Sequence, residues 1–230
     1  MKTKVINIVL VHGAFADGSG WKPLYDILKK KGYNVKVVGN SNFGLEEDAK
    51  TTATVLDRLD GPAILVGHSY GGAIITKAGM SEKVAGLVYV AAFAPDAGET
   101  LGALVATFAP DPERGILPPE NGFVWYDKAK FHKGFCADIP IDLAEFMADA
   151  QVPVSAGSFG YVNTEPAWKH KPSWYCVAME DHTISTDSER LWAKRMNAKT
   201  TEIKGSHVLF ISQPEKVAAV IEDAANSSLN

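Results

Sequence analysis

Short, densely apolar stretches alternate along the chain with stretches in which apolar residues recur every three or four positions. Val5–Val11 is an apolar, β-branched run interrupted only by Asn7, the pattern of a strand buried on both faces in a parallel sheet. Trp21, Leu24, Tyr25 and Leu28 follow at helical spacing, and Gly32 supplies a stop. Val35–Val38 reads as a second strand, Glu46–Leu59 as a helix with Ala49, Ala53 and Leu56 on one face, and Ala63–Val66 as a third strand. Gly72–Met80 reads as a short helix and Val84–Ala92 as a fourth strand. Strand–helix alternation with short connections predicts a parallel sheet covered by helices on both faces.

The alternation stops at Pro95 and resumes after Pro172, with a fifth strand over Trp174–Met179, a helix over Ser188–Met196 and a short strand over Thr200–Ile203. The last helix carries the stripe Val217, Val220, Ile221 and Ala224, and Ser212-Gln213-Pro214-Glu215 before it has the form of a capping box. The expected architecture is an α/β fold with roughly six strands, mostly parallel, flanked by helices. Residues 1–94 and 173–230 form its core, and 95–172 a small inserted cap. Aromatic residues concentrate in that insertion, from Phe108 through Trp125 and Phe135 to Trp168. Such a segment suits a lid over an apolar pocket, most of its rings serving as anchors. Trp125, with Phe15 from the loop after the first strand, is a candidate for substrate contact.

At 230 residues the chain suits one α/β domain. Its net charge of −4, with no basic cluster, argues against a nucleic-acid partner. Cys136 and Cys176 lie in no CxxC or Cys/His cluster, so no metal site is expected. Two free thiols in a reducing, cytoplasmic setting fit this usage. Lys2, Lys4 and the apolar run after them superficially resemble a targeting segment, but the run is short and leads directly into His12-Gly13, so it reads as the first core strand. No run approaches transmembrane length, and no membrane partner is expected.

The chemistry centres on Gly67-His68-Ser69-Tyr70-Gly71. This G-x-S-x-G motif follows a predicted strand and precedes a predicted helix, the context in which a serine sits on a sharp turn above the sheet. The residues two before and two after the serine must be small for that turn to close. A serine hydroxyl is a weak nucleophile near neutral pH and needs a base, which in turn needs an orienting acid. His207 lies after the last strand, where its loop returns over the edge carrying Ser69; His132 and His170 fall in the insertion, and His182 adjoins the best acid. Asp181, directly after the fifth strand, is the preferred acid, with Glu180, Asp187 and Asp96 as alternatives. Two backbone N–H groups, of Tyr70 and of Ala14 in His12-Gly13-Ala14-Phe15, are placed to form an oxyanion hole. Each such donor is worth about 3–4 kcal/mol to a transition state.

These motifs resemble the α/β-hydrolase superfamily over nearly the whole chain. More closely, the sequence is similar to the branch of plant methylesterases, hydroxynitrile lyases and small bacterial esterases. The resemblance rests on Val9–Ala14 with Trp21, on Gly67–Gly72, on Asp181–Ile184, and on Ser206-His207 with Pro214. It departs from the lyases at Val208 and Gly13, where they carry a lysine and a threonine, and from many relatives at Phe15, where they carry a cysteine. Without the lysine no cation holds a departing cyanide.

The expected function is hydrolysis of small to medium carboxylic esters through an acyl-enzyme on Ser69, His207 and Asp181, with no cofactor and a small-molecule ester as partner. A homodimer stays open. The competing readings are a lyase or acyltransferase on the same triad, and a ligand-binding receptor in which the triad turns over slowly.

Overall fold

The computed structural model describes residues 5–107, 109 and 111–227. Lys2, Lys4, Phe108 and the end of the polar tail lie outside the described residues. The first strand, β1 (Asn7–Val11), is followed by a 3₁₀ turn over Gly18–Trp21 and helix α1 (Lys22–Lys30). Next come β2 (Asn34–Val38), α2 (Leu45–Asp57), β3 (Ala63–His68), α3 (Tyr70–Ala78) and β4 (Val84–Val90). The stretch after β4 holds α4 (Leu101–Ala106), β5 (Phe123–Val124), α5 (Lys128–Phe135), α6 (Ile141–Asp149), β6 (Val154–Ser155) and α7 (Ala156–Phe159). The chain then returns through β7 (Ser173–Ala178), α8 (Thr186–Arg195), β8 (Lys199–Ile203), α9 (Leu209–Ser212) and α10 (Pro214–Ser227).

The main sheet has six strands in the order β2-β1-β3-β4-β7-β8, and every pairing in it is parallel. Every residue of β1 and β3 is buried, which is what their continuous apolar runs require between two helical layers. Helices α1 and α10 pack together, α2 packs on α3, and α10 lies across β3, β4 and β7. The last strand, Lys-Thr-Thr-Glu-Ile, is exposed except at Ile203; charged edge residues of this kind discourage pairing with another chain. Among the described residues no helix is long and apolar enough to cross a membrane.

Three differences from the sequence reading have local causes. Strand β3 runs through Gly67 and His68, and α3 begins at Tyr70 rather than Gly72, so Ser69 alone joins the two elements. The stretch between β4 and β7 contains four short helices and a two-stranded antiparallel ribbon of β5 and β6, elements too short to show a period. Ser212 closes α9 instead of capping α10: its hydroxyl donates to Asp138 at 2.6 Å, and Pro214 opens the last helix, where a missing N–H costs nothing.

Candidate active site

In an open parallel sheet, functional groups gather on the loops beyond the carboxyl ends of the strands. Ser69 follows β3 directly and has a left-handed backbone, φ 53° and ψ −121°. For a non-glycine residue such a conformation costs on the order of 1–3 kcal/mol, and the surroundings enforce it. A Cβ on Gly67 would lie 2.5 Å from the Gly71 carbonyl oxygen, and a Cβ on Gly71 2.5 Å from that of Val11. The Ser69 carbonyl accepts from the N–H groups of Gly72 at 2.9 Å and Phe93 at 3.1 Å. Gly71→Ala is expected to destabilise the fold by on the order of 1–3 kcal/mol, read as a lower urea midpoint. An unchanged midpoint would show that the turn can open to admit a side chain.

His207 lies between β8 and α9 with its side chain fully buried. Its Nδ1 stands 2.5 Å from Asp181 Oδ2. A carboxylate only accepts, so the proton sits on Nδ1. The other carboxylate oxygen, Oδ1, accepts from the N–H groups of Thr183 at 2.6 Å and Ile184 at 2.9 Å. These bonds fix the plane of the carboxylate and leave Nε2 of His207 buried without a partner among the described residues. Its ring centroid is 4.7 Å from that of His68, whose Nε2–H donates to the His207 carbonyl at 2.9 Å. Because His68 immediately precedes Ser69, these contacts hold the imidazole beside the serine turn. Burial, and then the neighbouring His207, push the His68 pKa well down, so this ring stays neutral.

The other sequence candidates go elsewhere. Glu180 is half exposed and lies 3.6 Å from Lys204, Asp96 pairs with Lys169, and Asp187 with Arg190. His132 donates to the Ile139 carbonyl at 3.1 Å, His170 faces Glu165, and His182 bonds Asp111 at 2.9 Å. Ala14 and Tyr70 are both buried, and neither N–H makes a backbone hydrogen bond among the described residues. A Cβ on Gly13 would stand 2.7 Å from the Cβ of Ser69, so the loop bearing Ala14 packs directly on the serine.

Phe15 has a positive φ of 60°, and its N–H donates to the Val152 carbonyl at 2.9 Å. It lines an apolar groove of about 250 Å³ together with Leu143, Phe146, Met147, Val208 and Phe210. Trp125 does not line this groove and is 40% exposed. The stretch between β4 and β7 reaches the histidine directly. The Phe135 ring centroid is 5.0 Å from that of His207. Asp138 accepts from the Ser206 N–H at 2.9 Å as well as from the hydroxyls of Ser206 and Ser212.

Glu189 escaped sequence reading because an acid in the first turn of α8 looks like an ordinary response to the helix dipole. It is fully buried and accepts from the Ala178 N–H at 3.0 Å. Burial, and then the charge of Asp181, push its pKa well up, so it stands near Asp181 as a neutral acid. Both cysteines are free and buried. Burial first, then the charge of Asp138, raises the Cys136 thiol to about 12, and burial likewise pushes Cys176 up, so neither is an activated nucleophile. Among the described residues no cluster of three or more His, Cys, Asp or Glu side chains is placed to hold a metal ion.

A parallel α/β sheet with a serine on a strained strand-to-helix turn, and a buried histidine–aspartate pair beside it, defines a hydrolase-type architecture. The chain belongs to the alpha/beta hydrolase family, whose pattern matches residues 8–220. It is similar to the pyrethroid hydrolase of Sphingobium wenxiniae, at 28% identity over 97% of this chain and 89% of the relative. It is also similar to the carbendazim hydrolyzing esterase of a Nocardioides species, at 33% identity over 62% of this chain and 64% of the relative. The crystal structure of a pyrethroid hydrolase from Sphingobium faniae superposes with a TM-score of 0.84 at 26% identity, covering 97% of this chain and 98% of that one.

Proposed function

We propose that the protein is a serine esterase that cleaves small to medium carboxylic esters through an acyl-enzyme. The observation that carries this reading is the Nδ1–Asp181 bond of a buried His207 held beside the strained Ser69 turn. Similarity to a pyrethroid hydrolase and to a carbendazim hydrolyzing esterase supports it. Ser69 Oγ attacks the ester carbonyl carbon while Nε2 of His207 takes the hydroxyl proton. The negative charge that develops on the carbonyl oxygen is met by the N–H groups of Ala14 and Tyr70. The tetrahedral intermediate collapses, His207 gives its proton to the departing alcohol, and the acyl group stays on Ser69. A water, deprotonated by the same Nε2, then attacks the acyl-enzyme and releases the acid. Val208, fully buried beside the histidine, offers no cation to a departing anion, which favours hydrolysis over cyanohydrin cleavage.

In this reading residues 95–172 form a cap over the site, supported by the Phe135 contact with His207 and the Asp138 bonds to its loop. The groove beside Phe15 takes an apolar arm of the substrate. At about 250 Å³ it falls below the roughly 300–1,000 Å³ usual for drug-sized ligands, so compact acyl or alcohol groups fit best. Rates on p-nitrophenyl esters should therefore peak at acetate to butyrate and fall steeply with longer chains. A peak on long-chain esters or on emulsified triglyceride would overturn the assignment of a closed, small-substrate site.

A further inference from the structure

The oxyanion donors of the serine-esterase reading are the Ala14 and Tyr70 N–H groups, and any role for the side chains that aim them rests on that reading. A backbone donor is aimed by whatever fixes its peptide plane. The Ala14 N–H shares a plane with the Gly13 carbonyl, which points the opposite way in a trans peptide. Two side chains hold that carbonyl: Nδ1–H of His12 donates to it at 2.9 Å, and Nδ2 of Asn42 at 3.4 Å. Asn42 is fully buried with a left-handed backbone, φ 61°, a conformation asparagine tolerates better than most residues. The Gly13 carbonyl only accepts, so it is the Asn42 Nδ2 that faces it, and Oδ1 on the other side accepts from Nδ2 of Asn40 at 2.7 Å.

Asn42 is held in turn by Asp48, whose Oδ1 accepts the Asn42 N–H at 3.1 Å and the Ser41 N–H at 2.9 Å. The other oxygen, Oδ2, accepts the Tyr70 phenol at 2.9 Å. One fully buried carboxylate thus grips both the residue that orients the Gly13-Ala14 peptide and the side chain of the residue carrying the second donor. The Ser41 hydroxyl also donates to Oδ1, at 3.2 Å, so every group bonded to the Asp48 carboxylate can donate, as its ionised form requires; burial raises the Asp48 pKa and these hydrogen bonds oppose that rise. A negative charge behind an anion site opposes the anion; whatever Asp48 contributes to catalysis therefore comes from geometry, not from its field. We infer that Asp48 and Asn42 are positioning residues that aim both oxyanion donors at the reacting carbonyl.

The test separates aiming from folding. Asn42→Gly keeps the left-handed backbone and the N–H to Asp48 but removes the amide from the Gly13 carbonyl. Its kcat should fall by about 10- to 100-fold, less than the 10²–10³ lost when an oxyanion donor is deleted, with KM within about threefold of the parent. A trifluoromethyl ketone gives the second readout: Ser69 Oγ adds to its carbonyl carbon, His207 takes the proton, and the carbonyl oxygen becomes an oxyanion. Affinity for this ketone should fall by the same factor as kcat, whereas inhibition by toluene, which carries no charge and forms no adduct, should not change. Tyr70→Phe removes the phenol from Asp48, and with it a 3.2 Å contact to the Ser158 hydroxyl, and should show the same split with a smaller drop; it carries the test if Asn42→Gly does not fold. The inference is overturned if a folded variant keeps kcat and ketone affinity within twofold, or if ketone and toluene affinities fall together. Ser69→Ala, assayed alongside, keeps the two levels apart. Persistent hydrolysis in that variant removes the underlying mechanism, whereas its loss together with unchanged Asn42→Gly and Tyr70→Phe variants removes only the positioning role.

Discussion

Ser69→Ala is expected to lower turnover of p-nitrophenyl acetate by a factor on the order of 10⁶, the loss seen when a hydrolase of this mechanism is deprived of its nucleophile. The expectation follows from chemistry and from placement. Ser69 carries a hydroxyl at a backbone conformation that few residues adopt, φ 53°, and Nε2 of His207 is left without a hydrogen-bond partner among the described residues. Alanine keeps the Cβ that packs against Gly13 and removes one oxygen. The side chain accepts no hydrogen bond that closes the turn, since the turn is closed through the Ser69 carbonyl. The urea midpoint should therefore stay near that of the parent while activity disappears. The measurement is kcat and the unfolding midpoint on the same preparation. A folded variant retaining more than a tenth of the parent rate would take Ser69 out of the mechanism.

The parts that could be read in advance share a physical feature: their burial is symmetric and their spacing strict. Strands β1, β3, β4 and β7 are enclosed almost throughout, so their composition is uniformly apolar and visible without knowledge of neighbours. The turn at Ser69 was legible because steric exclusion at Gly67 and Gly71 leaves only one residue type. The reading of Asp181 with His207 rests on chain order, and the two side chains are hydrogen-bonded in the fold. Between β4 and β7 the elements are too short for a period to emerge: β5 and β6 have two residues each, and α7 four. Ser212 met the pattern of a helix cap, but Asp138, far away in sequence, competes for its hydroxyl.

Asp48 and Asn42 were illegible for a related reason. In Asn-Phe-Gly-Leu-Glu-Glu-Asp the acids look like the charged first turn of α2, and only the fold shows that Glu46 and Glu47 face outward while Asp48 is fully buried under Tyr70. Glu189 is the same case in α8. Burial of a carboxylate is decided by long-range packing, so a sequence window shows the acid but not its role.

Asp181→Asn carries the second large effect, a loss of about 10⁴ in kcat by reversal of the histidine tautomer. The network around the residue determines which way the new amide must turn. Oδ1 of Asp181 accepts two N–H groups, from Thr183 and Ile184, so the oxygen of an asparagine stays on that side and its NH₂ is presented to His207. An amide NH₂ only donates. Nδ1 of His207 must then become the acceptor, its proton moves to Nε2, and the nitrogen that should take the proton of Ser69 already holds one. Glu189 offers no substitute base: it is held neutral by burial and bonded to the Ala178 N–H. Glu180→Gln and Asp96→Asn should each cost far less, because those carboxylates pair with Lys204 and Lys169 at the surface. Steady-state rates for the three variants, with circular dichroism to confirm the fold, decide the point. If Glu180→Gln were the damaging change and Asp181→Asn kept turnover within tenfold, the acid of the site would be Glu180.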